Sequence, residues 1–436
     1  MGKSFEDKEK QKPGKGQDLT QGGRVDLNRL PEFKQALPVL DTLIEGGYEA
    51  YFVGGSVRDA LLGLDLNDVD IASSAQPEEV KTLFKKTVDV GIDHGTVIVL
   101  QGGTSYEITT FRTESTYQDH RRPDSVHFVR SLEEDLKRRD FTINALALDR
   151  NGAVTDLFDG IQDLEDGLIR AVGQAEERFN EDALRMMRAV RFAGQLGFEI
   201  AQDTKVAIKK HRQLLEEIAV ERIQVEWVKL LTGQDRQKGV KAMIETKLYN
   251  YCPLLSNKKA ALTYLVANPH SLDSDRQAWA LLLYYVRYIQ PKGYQEDINT
   301  FLRTWKTSKA MVDQTEILVE GLEDRKNGKS LDPYAIYQQG LDLSLDIETL
   351  LEVLGQEGKQ AEVKETYQKL AIHSSSDLDL TGYDLMEAYG RKPGPWLGSA
   401  LNQAEKAVVR GDWPNDKNQL LQHLKDYAIE DEKQDD

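Results

Sequence analysis

The sequence predicts an α+β fold, with a small mixed sheet and helices in an N-terminal head and an extended all-helical remainder. Two observations carry this prediction. Short β-rich runs alternate with helical stretches from Leu27 to about Arg170. From Glu176 onward the strand signal fades, and apolar residues recur at helical spacing to the end of the chain. The break falls near Gly173.

In the head, Glu49–Val53 reads as a strand running into Gly54-Gly55, and Val57–Leu62 as the helix that follows. Leu66–Ala72 alternates as a second strand. Thr96–Leu100 and Tyr106–Phe111 form a hairpin about Gly102-Gly103, because paired glycines supply the positive φ that a tight hairpin turn needs. Beyond the break, Glu181–Phe192 reads as one helix. Met186, Ala189, Val190 and Ala193 gather on one side of it, with Arg185, Arg188 and Arg191 across the other. Trp227, Trp279 and Tyr285 are assigned to helical core.

Composition narrows the class. The 436 residues are 40% hydrophobic and 30% charged, which fits a folded multi-domain protein and argues against general disorder. Cys252 is the single cysteine, so neither an intrachain disulfide nor a cysteine-based zinc cluster can form, and a reducing, cytoplasmic compartment follows. Cys252 itself reads as a small buried apolar residue. Residues 1–26 have no apolar secretory core and read as a disordered extension. The most apolar stretch, Ala278–Val286, is too short to span a bilayer. The net charge of −17 argues against a broad nucleic-acid footprint but leaves room for a local basic patch. Part of that acidity sits in the terminal run from Glu430.

Gly54-Gly55-Ser56-Val57-Arg58-Asp59 closes a strand and opens a helix, and Asp68-Val69-Asp70 follows. Glycines at such a turn let backbone N–H groups approach an anion, and the helix N-terminus favours phosphate. Arg58 can grip phosphate oxygens as a fork. Asp68 and Asp70, two apart on a strand, project from one face as oxygen ligands suited to Mg²⁺ together with substrate phosphates. A Gly-Gly turn or an Asp-x-Asp alone is ordinary; in this order they form one unit. Glu107 on the next strand is the candidate third carboxylate.

These residues resemble the nucleotidyltransferase superfamily that includes DNA polymerase β. The resemblance implies in-line attack of a hydroxyl on the α-phosphorus of a nucleoside triphosphate, with departure of pyrophosphate. The arginine helix narrows it. Asp182 stands one turn before Arg185; the plain reading of the three arginines is a solvated charged face, but with no interleaved acid they repel one another, and arginine rather than lysine suggests recognition of a planar group. Cytosine and adenine each set an amino donor beside a ring-nitrogen acceptor. A carboxylate and a guanidinium match that pair, whereas guanine and uracil present the opposite groups.

With Lys137-Arg138-Arg139-Asp140-Phe141-Thr142-Ile143-Asn144-Ala145, the chain resembles the bacterial class II CCA-adding enzymes. That resemblance implies a nucleotidyltransferase head over 27–172, a neck with the nucleotide-selecting helix over 173–235, a body over 236–340 and a tRNA-binding tail over 341–436. It implies Mg²⁺ on Asp68 and Asp70, and ATP or CTP on Gly54, Gly55, Arg58, Arg139, Asp182, Arg185, Arg188 and Arg191. The acceptor would be the tRNA 3′ end, with no membrane partner. Thr113–Pro123 corresponds to the flexible loop tied to addition of the terminal A. Glu114-Ser115 stands where the family has Asp-Gly, which stiffens the hinge; His120 is a loop residue. Gly390–Gly398 resembles the tail segment, where Arg391 and Lys392 are candidate phosphate contacts or plain surface charges.

The implied activity is sequential addition of C, C and A. Within the same fold the alternatives are addition of A alone, addition of CC alone, or poly(A) synthesis; a basic C-terminal region expected of poly(A) polymerases is missing. A silent tRNA-binding protein would not need Asp68 and Asp70, and transfer to a small molecule leaves the helical body unexplained. No His-Asp pair signals an appended phosphohydrolase.

Overall fold

The structure, a computed structural model, describes residues 20–21, 24–66, 68–91, 95–114, 126–289 and 297–430. The loop expected over 113–123 lies beyond Glu114 outside the described residues, as do His120, most of the N-terminal extension and the acidic run past Glu430. The chain divides into two compact units.

The first unit reaches Asp273 and takes in Thr304–Lys306. Its head begins with α1 (Pro31–Glu45), opened by a proline at its first position, where a missing N–H costs nothing. Then come β1 (Ala50–Val53), α2 (Gly55–Leu61), β2 (Asp70–Ser73), α3 (Pro77–Leu83), β3 (Thr87–Gly91), β4 (Thr96–Gln101), β5 (Thr104–Thr110), α4 (Leu132–Lys137), β6 (Leu146–Leu148), β7 (Val154–Asp156) and α5 (Gly160–Asp166). The seven strands form one sheet in the order β7-β6-β1-β2-β5-β4-β3, with β2 and β5 its parallel pair. Phe33 of α1 meets Phe52 of β1 at 4.8 Å between ring centres, and so fixes the helix to the sheet. On the other side Val53, Ala72, Phe111, Leu136, Ala147 and Val172 close a buried cluster.

The hairpin about Gly102-Gly103 forms as expected, both glycines having positive φ. The strand over Leu66–Ala72 does not: β2 starts at Asp70. The reason lies across the ladder. Val53 opposite Asp70 is the last residue of β1, because Gly54 turns away at φ +71, which leaves Asp68 no partner there.

The helices of this unit are α6 (Ala175–Glu181), α7 (Leu184–Leu196), α8 (Gln202–His211), α9 (Val220–Leu231), α10 (Arg236–Thr246) and α11 (Lys259–Ala267). The single helix expected over Glu181–Phe192 is two. Asp182 is extended (φ −136°, ψ 104°), and its carboxylate accepts from the Leu184 N–H, so the side chain ends one helix and opens the next. Met186, Ala189, Val190 and Ala193 are buried as the periodicity predicts. Gly239 on α10 lets that helix approach closely: a Cβ there would lie 2.4 Å from the Val190 carbonyl oxygen. Trp227 is fully buried and stacks on Trp305 at 5.9 Å, worth about 0.5–1.5 kcal/mol beyond area burial. Cys252 is buried, and burial pushes its thiol pKa up.

The second unit comprises Ser274–Arg303 and Thr307 onward. Its first helix, α12 (Asp275–Tyr288), buries the apolar run Ala278–Val286, including Trp279 and Tyr285. α12 packs on α14 (Lys309–Lys326), and α14 on α16 (Leu341–Val353), with α13 (Ile298–Thr304) and α15 (Pro333–Gln339) between them in sequence. Arg325 and the buried Glu348 pair at 2.9 Å across α14 and α16. After α17 (Gln360–Lys369), the helices α18 (Gly382–Tyr389), α19 (Pro395–Arg410) and α20 (Lys417–Glu430) enclose a core of Leu385, Trp396, Ala404, Leu420 and Leu424. No helix among the described residues is long and apolar enough to cross a membrane.

Candidate active site

Gly54 and Gly55 stand where β1 hands over to α2, at the rim of a cavity of about 860 Å³ within the first unit. The size is that of a nucleotide-scale ligand site. Asp70, Glu107, Arg58, Arg139, Asp182, Arg185, Arg188 and Arg191 line the same cavity. The structure thus brings together every candidate of the head and neck except Asp68, which lines an adjoining recess with Asp70 and Glu107.

Asp70 and Glu107 are direct partners in the parallel β2–β5 register, so their side chains stand abreast on one face. Desolvation by the surrounding walls, then the Glu107 charge, push the Asp70 carboxyl above the ordinary carboxylate value; Asp68 adds to this and Arg139 opposes it. Crowded oxygen donors that resist ionising side by side suit a hard cation. Among the described residues no three such side chains converge tightly enough to hold a metal by themselves, so phosphate oxygens of a nucleotide would have to complete the shell.

The arginines are held from beneath. Arg58 makes a two-point pair with Asp59 at 2.8 and 2.9 Å and donates to Asn144 Oδ1 at 2.7 Å. Arg139 pairs with the fully buried Asp135 at 3.1 Å and donates to the Asn144 carbonyl at 3.4 Å. Burial would raise the Asp135 carboxyl, but Arg138 and Arg139 outweigh it and hold it below its usual value.

The expectation that the arginines of α7 lack acids is corrected. Their counter-charges come from other elements. Arg188 meets the buried Asp140 at 2.6 Å and Glu226 of α9 at 3.8 Å; Arg191 meets Glu226 at 2.6 Å; Arg185 meets Glu181 at 2.6 Å. Burial opposes ionisation of Asp140, yet Arg188, the Asn144 amide and Arg185 hold its carboxyl well below the usual range. Desolvation brings the Arg191 guanidinium down to about 10. Phe192 lies beneath Arg191, Arg58 and Arg188, with guanidinium carbons 3.7, 4.9 and 5.4 Å from the ring centre.

Asp182 and Arg185, expected as neighbours, are not paired with each other. Asp182 pairs with Arg222 of α9 at 2.7 Å. Arg185 uses three of its five N–H groups on Glu181 and the carbonyls of Arg178 and Arg138, leaving two for a ligand. The break at Asp182 is the cause, since an extended residue does not project along the helix that follows.

A family model described as "Poly A polymerase head domain" matches residues 50–170, one described as "Probable RNA and SrmB- binding site of polymerase A" matches 197–259, and one for tRNA nucleotidyltransferase domain 2 matches 270–424. The chain is 51% identical over 398 residues to a CCA-adding enzyme of Ligilactobacillus salivarius, covering 90% of this chain and 96% of that one. The chain belongs to the CCA-adding enzymes, nucleotidyltransferases that act on tRNA 3′ ends. A CCA-adding enzyme of Enterococcus faecalis is 49% identical, with 93% and 99% covered. The crystal structure of the Bacillus stearothermophilus CCA-adding enzyme in complex with CTP superposes with a TM-score of 0.84 at 40% identity, covering 93% and 99%. Matches of this length support CCA addition over A-only addition, poly(A) synthesis or a silent binding protein. Enzymes of this family use a divalent metal.

Sequence reasoning passed over the residues that hold the arginines of this cavity in place. Asp140 and Asn144 lie in the quoted head motif, four apart, but received no role. Arg222 and Glu226 are also four apart, on one face of α9. That spacing was readable; their partners, 35 to 40 residues away in sequence, were not. At the far end, Arg391 lies over the Trp396 ring at 4.9 Å, while Lys392 is exposed and its carbonyl accepts from the Trp396 indole at 2.9 Å. The turn before α19 is therefore pinned by an aromatic, with the Lys392 side chain outward.

Proposed function

We propose that this chain adds C, C and A in sequence to the 3′ end of tRNA in the cytoplasm, with CTP and ATP as donors, Mg²⁺ as the metal and pyrophosphate as the leaving product. One observation carries the reading. One cavity is lined by a glycine turn, the paired carboxylates Asp70 and Glu107, and the carboxylate and guanidinium groups of Asp182 and Arg185.

Asp70 and Asp68 would hold Mg²⁺ together with phosphate oxygens of the bound nucleotide, Glu107 flanking Asp70. The metal supplies charge neutralisation at the reacting phosphate. The N–H groups at the Gly54-Gly55 turn, with Arg58 and Arg139, orient the triphosphate. Asp182 accepts from an exocyclic amino group of the base, and Arg185 donates to a ring nitrogen. Asp182 Oδ2 takes one hydrogen bond from Arg222 and keeps a lone pair for that amino group. Cytosine and adenine satisfy both partners; guanine and uracil leave them mismatched. Arg188 and Arg191 stiffen the helix beneath the base.

In this reading residues 27–172 are the catalytic head, 173–235 the neck, 236–340 the body and 341–436 a tail that meets tRNA, with Arg391 and Lys392 at a helix N-terminus suited to phosphate. The test is product length: tRNAs ending before, within and after C-C, incubated with one labelled nucleotide at a time. Extension by C, C and then A, and no extension of a finished end, is the expected pattern. Unlimited A addition, or none after C-C, would overturn it.

A further inference from the structure

We propose that Asn144 is a positioning residue that couples the phosphate-holding arginines to the base-selecting helix. The inference rests on the assignment of Arg58, Arg139 and Arg188 to the nucleotide site. Asn144 is buried where the turn after α4 passes between α2 and α7. Its side-chain oxygen accepts from Arg58 Nη1 at 2.7 Å, and its amide nitrogen donates to Asp140 Oδ1 at 3.0 Å. Asp140 Oδ2 in turn accepts from Arg188 Nε at 2.7 Å. The main-chain oxygen of Asn144 accepts from Arg139 Nη1. One residue thus fixes, directly or through Asp140, three arginines that line the cavity.

A neutral group with both an acceptor and a donor is needed here, and the Asn144 amide spans the two partners. Arg58 can only donate and the ionised Asp140 can only accept, so the group between them must present an acceptor to one and a donor to the other. A carboxylate of the same shape satisfies Arg58 and repels Asp140; an apolar side chain satisfies neither. The charged groups around the node are Arg58 and Asp59 from α2, Arg138, Arg139 and Asp140 from α4 and its turn, Arg185, Arg188 and Arg191 from α7, and Glu226 from α9. The amide is the neutral joint in an otherwise charged chain that runs from Asp59 to Glu226. A phosphate pulling Arg58 is therefore felt at Arg188, one turn from Arg185 on the same helix.

The test compares Asn144→Ala, Asn144→Asp and the swap Asp140→Asn/Asn144→Asp in the full chain, reading KM and kcat for CTP and ATP and the dissociation constant for tRNA. Asn144→Ala should raise KM for both nucleotides about tenfold with tRNA binding unchanged. Asn144→Asp places two carboxylates in hydrogen-bond contact, so one must take a proton; its deficit relative to wild type should deepen from pH 6 to pH 8.5. The swap restores a donor facing an acceptor between the two positions but takes the carboxylate from Arg188, so it should abolish the pH trend of Asn144→Asp and recover KM only in part. An unchanged KM in Asn144→Ala, or equal losses in all three variants with no pH trend, would overturn the assignment. Should Asn144→Ala not fold, the isosteric pair decides through pH trend and rescue. Wild-type incorporation of C and A in the same assay checks the functional reading separately: its absence sinks that reading, whereas normal wild-type activity with flat variants sinks only this inference.

Discussion

Asp182 and Arg222 face each other as a two-point ion pair, with guanidinium nitrogens 2.7 and 3.3 Å from the two carboxylate oxygens. Arg222 therefore fixes the plane of the carboxylate proposed to read the base, while one lone pair stays open towards the cavity. Arg222→Gln should loosen that plane and raise UTP incorporation relative to CTP by about tenfold, with a smaller loss in overall rate. Asp182→Ala should go further in the same direction. Competition assays with mixed nucleotides measure both, and undisturbed refusal of UTP in the two variants would remove the base-reading role.

Asp70 and Glu107 give a prediction with a pH sign. The Asp70 carboxyl is pushed up by desolvation and by Glu107, so it takes a proton at higher pH than an ordinary aspartate of about 3.9. The working form is the ionised one, so activity falls as pH drops through that raised value. Glu107→Gln removes one cause of the rise and should move the acid limb of kcat/KM to lower pH, whatever it does to the plateau. Asp70→Ala should cost about a thousandfold in incorporation while tRNA binding persists. A limb that stays in place in Glu107→Gln would break the link between the two carboxylates.

How much of this was legible in the sequence depends on the range of the interaction. The Gly54-Gly55 turn, the hairpin at Gly102-Gly103 and the buried face of α7 are local, set by glycine φ and by periodicity, and they formed as read. Asp68 and Asp182 were misplaced because each sits where a regular element stops for a reason outside its own window. For Asp68 the reason is the turn of the neighbouring strand at Gly54. For Asp182 it is a carboxylate that caps the following helix and pairs with α9. The acids that neutralise α7 were invisible as partners, since Asp140 and Glu226 meet it only once the chain has folded.

The pair of the buried Asp140 with Arg188 should be felt in stability as well as activity. The Asp140 pKa is depressed in the folded protein, so its contribution is present above the unfolded carboxylate value and is lost as pH falls through the folded one. Asp140→Asn takes the main anionic partner from Arg188, whose side chain is one third exposed and keeps Glu226 at 3.8 Å, so the cost should fall short of the about 3–5 kcal/mol of a fully buried pair. The gap in urea stability between wild type and variant should be constant near neutrality and shrink only below about pH 4. A gap that narrows already between pH 7 and pH 5 would mean that another group carries the effect.

Gly54 offers the sharpest test of the phosphate end. Its φ of +71 is strained for any residue with a side chain, and a Cβ there would lie 3.1 Å from Arg139 Nη1 and 3.9 Å from Asp70 Oδ2. Gly54→Ala therefore acts twice: with ψ at −133 it strains the turn by about 1–3 kcal/mol, and it crowds Arg139, the guanidinium proposed to hold the triphosphate. The two effects separate by measurement. Strain alone lowers the melting temperature by a few degrees and leaves KM where it was, whereas displacement of Arg139 raises KM for CTP and ATP alike, because both carry the same phosphates. Base choice, assigned to Asp182 and Arg185 in the proposed function, should not change. Nucleotide titrations of Gly54→Ala with CTP, ATP and UTP check this, and a shift in base preference without a common rise in KM would place the turn somewhere other than at the phosphates.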